Sequence, residues 1–160
     1  MSLQLFLADP AATEALGVRL AATMPPRAVV FLGGDLGAGK SSLARAMLRS
    51  LGVLGSIRSP TYTLVERYPL EVGEAAHLDL YRIAEAAELE FLGLQEISAE
   101  ARLLLVEWPE RAAAALPPAD LELHLAVMDC GRTVELRGSG ASGLGWLNKL
   151  SEIAPDSASS

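Results

Sequence analysis

The chain reads as an α/β fold of three layers, a mostly parallel central sheet between helices, with an antiparallel hairpin added near the C-terminus. Three observations carry this expectation. Apolar runs alternate with segments of helical periodicity along the 160 residues. Two of the runs, Ala28 to Leu32 and Leu103 to Val106, are apolar throughout, as strands covered on both faces are. Late in the chain, Leu121 to Val127 and Thr133 to Arg137 bracket Asp129-Cys130-Gly131, a hairpin signal.

Taken in order, Leu3 to Leu7 is suited to a short edge strand. Pro10 stands at a helix start, and Leu16, Leu20 and Met24 recur on one helical face until Pro25-Pro26 ends it. After the strand Ala28 to Leu32, Gly33 and Gly34 open a loop. From Lys40 the pattern is helical, with Leu43, Ala44, Met47, Leu48 and Leu51 on one side and Gly52 as terminator. Ser59-Pro60 marks a turn, because the residue before a proline is driven out of the helical region. Thr63 to Leu70 and Glu74 to Leu80 read as two strands joined at Gly73, and Ile83 to Leu92 as a helix stopped by Gly93. Glu110 to Leu116 reads as a short Ala-rich helix closed by Pro117-Pro118, and Ser142 to Ile153 as the last helix. Residues 1–153 are expected to form a single domain and 154–160 a mobile polar tail.

Composition narrows the function classes. Thirteen Lys and Arg against twenty Asp and Glu give a net charge of −7 and a pI near 4.8. Nucleic-acid binding through the chain's own surface calls for a clustered basic patch, and here eleven Arg and two Lys are scattered. Leu3 to Ala8 is too short for the apolar core of a signal peptide, and no 18-residue apolar run follows, so a cytoplasmic protein without membrane attachment is expected. The lone Cys130 has no internal partner, which fits a reducing compartment.

One segment dominates the chemistry. Gly34-Asp35-Leu36-Gly37-Ala38-Gly39-Lys40-Ser41 matches G-x-x-x-x-G-K-[ST] in full, and it joins an apolar strand to an amphipathic helix. Glycines let backbone N–H groups wrap phosphate oxygens, the helix N-terminus adds positive potential, Lys40 brings a charge to the β- and γ-phosphates, and the Ser41 hydroxyl suits Mg2+. The phosphate cradle is thus assigned to Gly34, Asp35, Gly37, Ala38, Gly39, Lys40, Ser41 and Ser42, in a P-loop NTPase-like fold with nucleotide phosphates and Mg2+ as ligands. Such a site also needs an acidic group near the metal. Glu107 ends the second apolar strand and Asp79 ends a weaker one; either could instead cap a helix or face solvent. Thr61, in Ser59-Pro60-Thr61-Tyr62-Thr63, either senses nucleotide state or bonds the local backbone of a turn. His77, His124 and Cys130 lack neighbours at metal-ligand spacing and read as structural.

Absent features separate the classes. A guanine-reading N-K-x-D is missing, since the only asparagine lies in Asn148-Lys149-Leu150-Ser151, and no loop carries the clustered arginines of a kinase lid. A small-molecule kinase and a nucleotide-gated binding module remain as alternatives to an ATPase.

In order, the P-loop, Ser59-Pro60-Thr61-Tyr62-Thr63-Leu64-Val65, His77-Leu78-Asp79-Leu80-Tyr81-Arg82, Glu88-Leu89-Glu90-Phe91 and Leu105-Val106-Glu107-Trp108-Pro109 resemble the TsaE (YjeE) family of bacterial P-loop ATPases. The resemblance implies a part in making N6-threonylcarbamoyladenosine at position 37 of tRNA. In this role a weak ATPase binds a complex of TsaD and TsaB and uses ATP binding and hydrolysis to reset it, with tRNA reached only through those partners. It implies Lys40 as the phosphate-binding lysine, Ser41 and Glu107 as Mg2+ ligands, Asp79 as the second acid orienting water or metal, and Thr61 as part of a switch-like loop. It also implies Trp108 beside the site, and Thr13 and Arg132 bordering base or ribose. Ser41-Ser42 stands where the family commonly has Thr-Thr, and serine keeps the same ligating hydroxyl.

Overall fold

The computed structural model describes residues 1–153, so the expected tail at 154–160 lies outside the described residues. The elements are β1 (Ser2–Leu7), α1 (Pro10–Thr23), β2 (Ala28–Gly33), α2 (Lys40–Ser50), β3 (Val65–Pro69), β4 (Glu74–Asp79), α3 (Ala87–Phe91), α4 (Leu94–Glu100), β5 (Ala101–Glu107), β6 (Leu121–Met128), β7 (Gly131–Gly138) and α5 (Gly140–Ile153). The seven strands form one sheet in the order β1-β7-β6-β2-β5-β4-β3. Its core, β6-β2-β5-β4, is parallel. β7 and β1 extend one side antiparallel, and β3 closes the other antiparallel to β4. No helix of the described residues is long and apolar enough to cross a membrane.

Period-two alternation explains the layers. On β2, Ala28, Val30 and Leu32 face the core built by α1, α2 and α5, while Val29 and Phe31 pack toward the opposite side. On β5, Leu103 and Leu105 face the first core, and Leu104 and Val106 the second, which α3 and α4 cover with Leu89, Leu94 and Ile97. Asp9 caps α1 by accepting the Ala12 N–H at 2.8 Å, with Pro10 in the first turn.

Two expected helices are corrected. The expected helix from Ile83 to Leu92 shrinks to α3, because Glu88 Oε2 accepts the Ala84 N–H at 3.1 Å and holds that segment outside the helix. Beyond Gly93, at φ +74°, a separate helix α4 begins that the sequence reading lacked; its buried pair, Leu94 and Ile97, is too short a pattern to stand out. The expected Ala-rich helix from Glu110 to Leu116 is instead two 3-10 turns, Pro109–Arg111 and Ala113–Ala115. They are interrupted where Ala112 turns to φ −149° and is buried in the second core.

α1 lies unusually close to α2. A Cβ on Gly17 would stand 2.5 Å from the Ala46 Cβ and 3.2 Å from the Leu43 carbonyl oxygen. Neither neighbour is a flexible side-chain end, so Gly17→Ala must spread the helices. Overpacking of about 1–3 kcal/mol outweighs the roughly 1 kcal/mol gained in helix propensity. We expect a thermal midpoint lowered by several degrees in calorimetry; an unchanged midpoint would show that the helices re-space freely.

Candidate functional site

The site begins where β2 ends. Gly34 takes φ +129°, and a Cβ there would stand 2.3 Å from the Leu125 carbonyl oxygen of β6, so the loop can leave the sheet at this point only with glycine. The loop turns back through Gly39 (φ +106°), which is the N-cap of α2. The N–H groups of the first turn of α2, from Lys40 to Ser42, have no intrahelical acceptors and form the positive end of an eleven-residue helix.

Lys40, Asp79 and Glu107 are only 5%, 6% and 3% exposed. The Lys40 ammonium donates to the Gly34 carbonyl and sits 3.8 Å from the centroid of the Trp108 ring. Trp108 holds φ +57° directly after β5, one of two non-glycine residues at positive φ among those described, and Tyr81 packs against it at 5.0 Å. Burial pushes the Lys40 ammonium below the usual lysine range, opposed by the negative charge of Glu107 and Asp79.

The acids come together through strand register. Asp79 and Glu107 are paired positions at the C-terminal ends of parallel β4 and β5, and Leu32 of β2 pairs with Glu107 on the other side. Parity puts His77, Asp79 and Glu107 on the face that carries the P-loop helix. Asp79 accepts the Tyr81 N–H at Oδ1 (3.0 Å) and the Thr61 hydroxyl at Oδ2 (3.4 Å), and Thr61 in turn shares a hydrogen bond with Ser59 at 2.7 Å. The Asp79 N–H donates to the Leu64 carbonyl at 3.0 Å, so the 59–64 loop is tethered to this acid twice. Glu107 Oε2 lies 2.7 Å from His77 Nε2.

A cavity of about 300 Å³ is lined by Gly37, Gly39, Lys40, Ser41, Ser42, Thr61, Asp79, Glu107, Trp108 and Arg132, together with Leu36 and Tyr81. Arg132 reaches it from β7, donating to the Gly37 carbonyl at 3.3 Å. Gly34, Asp35 and Ala38 shape the loop without lining the cavity; the Asp35 carbonyl accepts the Ala38 N–H. Thr13 is buried in α1 and is not part of the lining. Arg82 and Arg111 lie over Tyr62 and Tyr81, at 4.7 and 5.6 Å, outside the lining. A larger groove of about 490 Å³, along β6, β7 and the 3-10 turns, contains none of these groups.

The donors suit a hard cation beside an anion. A hydroxyl on Ser41 and two carboxylates are oxygen ligands, and among the described residues no cage of three or more His, Cys, Asp or Glu exists. A small oxygen set of this kind matches Mg2+, which keeps waters and takes phosphate oxygens alongside one or two protein groups.

Residues 7–134 match the family TsaE, described as threonylcarbamoyl adenosine biosynthesis protein TsaE. The chain belongs to the TsaE family. A TsaE from Haemophilus influenzae is 44% identical over 108 residues, 68% of each chain, and one from Bacillus subtilis is 35% identical over 115 residues, 72% of each. Both are named tRNA threonylcarbamoyladenosine biosynthesis protein TsaE. The crystal structure of YdiB from Bacillus subtilis superposes with a TM-score of 0.81 at 27% identity, covering 95% of both chains.

His77 reads as structural from its sequence neighbours, and its contact with Glu107 is visible only in the fold. The spacing carries half the signal, since His77 and Asp79 are two apart on one strand and share a face. Gly34→Ala tests the loop corner: left-handed strain of about 1–3 kcal/mol adds to the clash with Leu125. A clearly lowered urea midpoint is expected, and an unchanged one would mean the loop leaves β2 by another path.

Proposed function

We propose that this TsaE-family chain is a Mg2+-dependent ATPase serving the N6-threonylcarbamoyladenosine modification of tRNA position 37. In this reading it is slow alone, binds a TsaD–TsaB complex, and uses ATP binding and hydrolysis to reset that complex between rounds. The observation that carries the reading is the convergence of Lys40, Ser41, Asp79 and Glu107 on one cavity at the N-terminus of α2. The net charge of −7 supports contact with tRNA through the partners.

The residues have separable tasks. Backbone N–H groups at the start of α2 and the Lys40 ammonium hold the phosphates. Ser41 and Glu107 would hold Mg2+, which when bound would neutralise charge on the phosphates and shield them from the two carboxylates. Asp79, fixed by the Tyr81 N–H, would orient the attacking water or the metal. In hydrolysis that water bonds to the γ-phosphorus, the bond to the bridging oxygen breaks, and ADP and phosphate leave. Thr61, bonded to Asp79, couples the 59–64 loop to the state of the phosphates.

The deciding experiment is phosphate release from ATP and Mg2+ with and without purified TsaD–TsaB. Charge stabilisation supplied in trans is worth about 10³–10⁵ in rate in phosphoryl transfer, so stimulation well above about tenfold is expected. Tight nucleotide binding without turnover in either condition would sink the ATPase and favour a gated binding module; a phosphorylated acceptor would favour a kinase.

Lys40→Ala removes a charged hydrogen bond worth about 1.5–3 kcal/mol, so ATP affinity should fall about 10- to 100-fold. Cooperative unfolding should persist. Wild-type affinity in this variant would remove Lys40 from the phosphate site.

A further inference from the structure

Behind the lining of the cleft lies a buried side chain that the reaction above does not use. His77 is 2% exposed on β4, its Nε2 is 2.7 Å from Glu107 Oε2, and its Nδ1 is buried without a hydrogen-bond partner among the described residues. Buried polar atoms are nearly always satisfied, so an orphaned ring nitrogen beside a fully engaged one asks for a reason. Strand register supplies the geometry. His77 pairs with Leu105, and Glu107 stands two residues further on the same face of β5, giving a diagonal cross-strand contact.

We propose that His77 is a positioning residue for Glu107. Its Nε2–H holds Oε2, leaving Oε1, which makes no hydrogen bond among the described residues, as the oxygen that meets a divalent cation. An ionised carboxylate only accepts, so the ring hydrogen belongs on Nε2 and the orphan is the Nδ1 lone pair. That is the tolerable arrangement, because an orphaned N–H donor is rarer in proteins than an under-satisfied acceptor. A ring fixed on the far oxygen of a metal-binding carboxylate selects which oxygen and which rotamer the cation finds. The inference rests on the reading of Glu107 as a Mg2+ ligand.

The test compares wild type with His77→Leu, which removes the donor, and His77→Gln, whose amide N–H reaches the Nε2 position. ATP affinity is measured by titration calorimetry across Mg2+ concentrations and in its absence, alongside the thermal midpoint. In His77→Leu the Mg2+ needed for half-maximal tightening should rise about tenfold or more, with metal-free affinity unchanged, and His77→Gln should recover most of it. If His77→Leu does not fold, His77→Asn, polar but too short to reach Glu107, takes its place with the same expectation. A loss of stability in the variants with an unaltered Mg2+ requirement would overturn the inference and leave a packing role. A wild type whose ATP affinity ignores Mg2+ would overturn the Mg2+ reading of Glu107 and this inference together. A metal-free readout stands beside these. Nitrogen-15 spectra of the nucleotide-free protein should show the Nε2–H tautomer for the ring that His77→Gln removes, and an Nδ1–H tautomer would overturn the proposal.

Discussion

An ammonium group kept out of solvent, with no bonded counter-ion among the described residues, is the constraint on which the cleft depends. Lys40 contacts a carbonyl and an indole face, while two carboxylates stand close enough to be felt and are not bonded to it. Free to move, Asp79 or Glu107 would collapse onto Lys40 and cancel its charge. Each acid is occupied elsewhere: Asp79 by the Tyr81 N–H and the Thr61 hydroxyl, Glu107 by His77. Opposite charges are therefore held near each other and apart, a costly arrangement in a buried site and a usable one.

The scaffold supplies what that arrangement requires. Neighbouring parallel strands in register bring two acids to one rim, and the strand beside them delivers the loop and helix that carry the lysine. α2 can lie close over this rim because α1 meets it at Gly17 and the two helices bear on one core. Trp108 does two jobs at once. Its left-handed backbone turns the chain away from β5, and its ring gives the ammonium a neutral surface to rest on.

Much of this was legible in the sequence because the decisive signals are local. A glycine-rich loop between an apolar strand and a helix announces itself, and so does a carboxylate ending an apolar run, as Glu107 does. Trp108 and Arg132 came through the resemblance alone, since nothing in their neighbours says that one faces a lysine and the other arrives from the far hairpin. What stayed hidden depended on pairing across strands or on single turns. The His77–Glu107 contact joins residues thirty apart through register. The division of the 83–100 region turned on the Glu88 carboxylate and on Gly93, and the split after Pro109 on Ala112 dropping into the core, details too small for periodicity to register.

β1 pairs with β7 from Ser2 opposite Arg137 to Leu7 opposite Arg132, so β1 waits for a strand made about 130 residues later. On the ribosome the N-terminal segment has no partner until residues beyond 130 have emerged, although β2, α2 and β5 can already associate. Arg132 arrives with that final pairing, at the end of β7 nearest the loop. The nascent chain thus carries lysine and both acids well before the arginine joins them, and the lining of the cleft is completed only once β7 has been made.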